Sequence, residues 1–161
     1  AGNVVYYDFA RGGREPVRLT WYDGGLLPVR PPFLPDSVEL DRGGGAILVG
    51  SEGVLVYDTY GSNPRLYPEE LNVAYQDLPQ TVRRIQAPSH EMNWIWAIQG
   101  KEEASSPFSY AAALTETMLL GTTAVRAGRV LNYDAINMRF PDDPEADRLL
   151  GREYRDGWEM G

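Results

Sequence analysis

Two apolar runs constrain this chain most. Ala46 to Gly50 (AILVG) and Val54 to Asp58 (VLVYD) flank Ser51-Glu52-Gly53, and so short a link makes them the arms of one β-hairpin. Both arms are almost wholly apolar, so this hairpin is expected to be central, with both faces largely covered. A second hairpin precedes it. Asn3 to Ala10 is rich in β-branched and aromatic residues, and Arg11 to Glu15 (RGGRE) breaks the run. Val17 to Tyr22 then resumes, with Val17, Leu19 and Trp21 alternating against Arg18, Thr20 and Tyr22. Asp23-Gly24-Gly25 turns the chain into residues 26 to 41. Four prolines there (Pro28, Pro31, Pro32, Pro35) predict an extended surface loop whose Leu26, Leu27, Phe33 and Leu34 need something to cover.

Residues 59 to 88 read as irregular, punctuated by Pro64, Pro68, Pro79 and Pro88, with one short turn near Glu69 to Leu71. Helices follow. Ser89 is a predicted N-cap for about ten residues ending at Gly100, with Trp94, Ile95 and Ile98 on one face. Ser106-Pro107 opens a longer helix to Ala127, closed by Gly128. Along it Ala111, Leu114, Met118, Gly121 and Val125 recur at helical spacing, and Gly121 and Ala124 let a neighbour approach closely. Val130 to Tyr133 is a predicted short strand, and Asp143-Pro144 caps a last helix to about Leu150. Strands first and helices after, joined by hairpins, predict an α+β fold. Its expected form is an open, mostly antiparallel sheet with helices packed on one face. The other face, too apolar for water, is left available for oligomerisation.

At 161 residues the chain is expected to form a single domain, 1–161. Fifteen Lys/Arg against twenty-three Asp/Glu give a net charge of −8, which disfavours nucleic acid and anionic membranes as partners. The most apolar stretch, Phe108 to Val125, is interrupted by Thr115, Glu116, Thr117, Thr122 and Thr123, so no transmembrane span is predicted. The first residues lack the basic-then-apolar order of a secretion signal and run almost directly into a strand, as expected of a piece of something longer. Without cysteine there is no thiolate nucleophile or disulfide framework, and one histidine excludes a multi-histidine metal cage.

Few residues offer chemistry. Gly43 to Gly45 in DRGGGAILVG precede a strand, whereas a dinucleotide fingerprint follows a strand and opens a helix, and Leu48 stands where a third spaced glycine belongs. The run reads as a flexible approach to a strand. His90 is either a general base at a helix start or a surface histidine. The neighbouring acids Asp142/Asp143 and Glu102/Glu103 read as solvated caps before they read as a catalytic pair. Asp23 either fixes its turn by accepting backbone N–H bonds or lines a pocket that stacks a sugar on Trp21 or Tyr22. Arg152, Tyr154 and Arg155 (REYRDGW) form a docking tail or a plain surface tail.

Several segments in order resemble the Gfo/Idh/MocA family of NAD(P)-dependent oxidoreductases. They are LTWYDGGLLPVRPP (19 to 32), ILVGSEGVLVYD (47 to 58), PRLYPEE (64 to 70) and the long run from 109 to 158 that contains LLGTTAVRAGRVLNYD and ends in YRDGW. The likeness is to the C-terminal α/β domain of bacterial members and spans about residues 3 to 158. It implies a two-domain enzyme that passes hydride between NAD(P) and a sugar or polyol-like substrate. It also implies a separate N-terminal Rossmann domain and a homo-oligomer built through the sheet face.

No residue here matches the family's glycine fingerprint, its lysine motif or its aspartate-and-histidine pair, so no catalytic and no cofactor-binding residue is assigned. The chain is expected to be a substrate-binding and oligomerisation fragment, inactive alone, with no cofactor of its own. Trp21, Tyr22, Asp23 and His90 are its candidate substrate-pocket residues. Two alternatives stand beside this reading: a stand-alone carbohydrate-binding or assembly module, and part of a nicotinamide-dependent glycosidase of the same fold. Either a bacterial cytoplasmic or a periplasmic location fits.

Overall fold

The computed structural model describes residues 2–159, and its fold is α+β. Among the described residues, five strands form two small antiparallel sheets, one of two strands and one of three, and four α-helices follow or flank them. The residues group into two compact units, one of residues 2–4 with 21–86, the other of 5–20 with 87–159.

In the first unit, β3 (Gly45–Val49), β4 (Val54–Asp58) and β5 (Arg65–Tyr67) pair in that order. The β3–β4 hairpin matches the sequence expectation, and Gly50 N–H donates to the Gly53 carbonyl at 2.8 Å across its loop. Its burial does not. Only β4 is central; β3 is an edge strand whose Leu48 and Val49 are 50% and 61% exposed, so the apolar pattern marked one covered strand rather than two. Gly53 is needed less for the turn than for packing, because a Cβ there would collide with the Tyr67 carbonyl and approach the Leu71 side chain.

The segment 59 to 88 carries more structure than its prolines suggested. Strand β5 and helix α1 (Glu69–Tyr75) both lie in it, and α1 packs on β5. Residues 26 to 41 hold no helix or strand, as expected, and their Leu34 is buried while Phe33 stays about half exposed.

In the second unit the N-terminal hairpin joins β1 (Val4–Arg11) to β2 (Arg14–Tyr22), whose first and last residues fall in the other unit. Gly12 and Gly13 link them with φ of 46° and 82°, the left-handed pair a two-residue hairpin turn requires. Helix α2 (His90–Ile98) is capped by Ser89, whose hydroxyl accepts from Met92 N–H, and Gly100 follows at φ 68°. The predicted apolar face does not form the core contact: Trp94, Ile95 and Ile98 are exposed, while Asn93 is 2% exposed and Met92, Trp96 and Ala97 are half-buried. Asn93 donates to Glu102 Oε2 (3.0 Å) and the Glu103 carbonyl (3.1 Å) and accepts from Ser105 N–H (2.9 Å), tying α2 to the following loop.

Helix α3 (Phe108–Ala127) ends at Gly128 in the left-handed conformation, as predicted. Gly121 and Thr123 are its buried residues, whereas Leu114 and Val125 face solvent. Gly121 does admit a close neighbour: the space a Cβ would need is filled by the Tyr7 hydroxyl of β1. Residues 130 to 133 are not a strand, and the structure there is one bridge between Asp134 and Arg139. Asp143 caps α4 (Pro144–Asp147) by accepting from Ala146 N–H.

Candidate functional site

Trp21 and Tyr22 close β2, and Asp23 begins the turn that follows. Leu26 N–H donates to the Asp23 carbonyl at 3.1 Å across Gly24 and Gly25, whose φ of 63° and 81° suit glycine. The carboxylate of Asp23 is directed at Asn3: Oδ1 accepts from its backbone N–H and Oδ2 from its side-chain amide at 3.1 Å. Asp23 N–H returns a bond to the Asn3 carbonyl at 3.1 Å. The Asn3 side chain first, and its N–H second, hold this carboxyl below the usual aspartate range. Asp23 therefore clasps the open end of the hairpin as well as starting its turn, with its oxygens engaged by protein donors. Trp21 and Tyr22 are consecutive in a strand, so their rings lie on opposite sheet faces and a flat ligand meets one or the other. Trp21 is about half exposed and Tyr22 half-buried.

His90 belongs to the other unit, as the exposed first residue of α2. Its neighbour Glu91 is held below the usual glutamate range, chiefly by a hydrogen bond from Ser89. The adjacent acids serve the fold. Arg129 grips Asp143 through Nε and Nη2, both at 2.8 Å, and also reaches Glu145, so the Asp143 carboxyl is lowered to about 2. Glu102 accepts from Ala87 N–H and from Asn93. In the tail, Arg152 stacks over Tyr154 at 5.6 Å and Arg155 over Trp158 at 4.9 Å.

The Gly43 to Gly45 run does not fit the phosphates of a dinucleotide. Gly43 to Gly45 lead into β3, and their open sides are taken: a Cβ on Gly45 would lie 2.5 Å from the Tyr57 carbonyl oxygen, and one on Gly44 2.8 Å from Thr59 Oγ1. Gly45 thus permits close backbone approach to β4, and the run leads into a strand rather than the helix start that would receive a pyrophosphate.

A concave feature that the sequence reading missed lies in the proline-rich loop of the first unit. A groove of about 440 Å³ is lined by Leu27, Pro28, Arg30, Glu39, Leu40 and Arg42. Arg30 Nη1 donates to the Pro35 carbonyl at 2.9 Å and Arg42 Nη1 to the Gly25 carbonyl at 3.0 Å. The available signal was arginine within a loop of prolines and leucines, where a cation has no need to be. No family model, no curated protein and no solved structure matches this chain.

Proposed function

We propose that this chain is the substrate-binding and subunit-contact domain of an NAD(P)-dependent oxidoreductase of the Gfo/Idh/MocA type, acting on a sugar or polyol-like substrate. In this reading the nicotinamide is gripped by a separate Rossmann domain, and none of these residues is assigned to the hydride step. The chain would contribute pocket wall and subunit surface, holding a substrate in place for a reaction centred elsewhere.

One observation carries the reading beyond the ordered sequence segments. Leu48, Leu55 and Leu66 stand directly opposite one another across β3, β4 and β5, forming a leucine row on one face of the sheet. Leu48 is half exposed and the other two only partly covered. An apolar sheet face of this kind suits a second protein surface better than water.

Calorimetric titration of NAD(H) and NADP(H) into the purified chain tests the division of labour. No saturable binding is expected. Binding of either nucleotide tighter than about 1 mM would overturn the proposal.

A further inference from the structure

We infer that the groove of the proline-rich loop binds a small carboxylate that also bears a hydrogen-bond donor, a hydroxyl or an ammonium. The groove, about 440 Å³ and open to solvent on one side, is roomy enough for a small ligand. Leu27, Pro28 and Leu40 supply apolar wall, and Arg30, Glu39 and Arg42 supply charge. The inference stands on this groove alone and does not depend on the oxidoreductase reading.

The charges on the groove are not used on one another. Arg42 makes its one hydrogen bond to a backbone carbonyl and has no ion pair among the described residues. Arg30 also holds a carbonyl, and its Nε lies 3.7 Å from Asp36, a fully exposed acid too distant for a tight pair. Glu39, on the same groove, has no hydrogen bond or ion pair among the described residues. A carbonyl holding one nitrogen orients a guanidinium plane and leaves further N–H donors free, in the fork that matches a carboxylate. Glu39 only accepts, so it calls for a donor on the ligand. A multiply charged phosphate fits less well, because Glu39, Asp36 and Asp41 would oppose it within this loop.

Titration by calorimetry, with D-gluconate and L-alanine as probes and sorbitol and inorganic phosphate as controls, tests the inference. Gluconate or alanine is expected to saturate the chain in the millimolar range, while phosphate does not and sorbitol shows no binding that the groove variants weaken. Binding of gluconate assigns the donor as hydroxyl, and of alanine as ammonium. Arg42→Gln is expected to weaken binding about tenfold or more, while Arg65→Gln, which breaks an exposed pair with Glu69 away from the groove, leaves it unchanged. Arg42→Gln also removes the bond to Gly25, so Glu39→Gln, which removes no such bond, is the second variant and is expected to weaken the same ligand severalfold. The inference is overturned if neither probe saturates by about 20 mM, if phosphate binds as tightly, or if sorbitol binds as tightly and is weakened by the same groove variants. Equal affinity in the wild type and both groove variants overturns it as well.

Discussion

At Tyr133 the hydroxyl donates to Glu116 Oε1 at 2.6 Å while the ring packs against Phe140, with centroids 5.2 Å apart. Burial, then the Glu116 carboxylate, push this phenol up to about 12 from its ordinary value of 10.0. The folded state thus holds the proton more tightly than the unfolded one. The resulting stability is present in full below about pH 10 and is lost as pH rises through about 12. Tyr133→Phe is expected to cost about 1 kcal/mol at neutral pH through the lost hydrogen bond. Thermal melts should then show the wild-type advantage shrinking between about pH 10 and 12; a gap of constant size across that window would contradict the assignment. Neither this pair nor the buried Asn93 was legible beforehand. A tyrosine and a glutamate seventeen residues apart, or an asparagine on an apolar helix, declare a partner only once the chain has folded. Asp23 was more readable, because a short acid before two glycines has few local options.

Elements were legible in proportion to their local signals. Hairpins β1–β2 and β3–β4, and helices α2 and α3 with their caps, all fall where turn glycines, Ser89 and Gly128 place them. Strand β5 was missed for a physical reason: three residues between Pro64 and Pro68 are too short to show alternation, and β4 recruits them by backbone pairing. The predicted strand at 130 to 133 failed conversely, because strand formers such as Val130 and Tyr133 gain no ladder without a paired neighbour. In α3 the helical period marked the close-packing residue Gly121 but overstated the buried stripe. Gly121→Ala is expected to destabilise by about 1–3 kcal/mol, since its methyl would occupy the place of the Tyr7 hydroxyl. Adding Tyr7→Phe, which removes that oxygen, should recover part of the loss. Strictly additive effects in a double-mutant cycle would show that the two residues do not meet.

For the molecule as a whole, exposed area is the informative quantity. The chain exposes 13156 Å², whereas a folded monomer of this mass exposes about 8,000 Å², and two independent halves would together expose about 9,700 Å². The excess is larger than the about 1,000–2,500 Å² that each chain buries in a large obligate interface. Self-association is therefore expected for the purified chain, measured by light scattering at about 50 μM. Leu48→Lys, which places a charge on the exposed leucine row, should shift it toward monomer. A wild-type chain that stays monomeric at that concentration would count against the sheet face as a subunit contact.

The two hairpins, helices α2 and α3 and their turns were already present in the sequence, because a cap, a left-handed glycine or a two-residue alternation acts over a few neighbouring residues. The α+β class followed from their order. Which apolar residues are covered, why Gly44 and Gly45 must be small, and how Arg30, Glu39 and Arg42 come to share one groove were decided only in three dimensions. Burial and close approach depend on atoms brought from distant parts of the chain, and no local pattern records them.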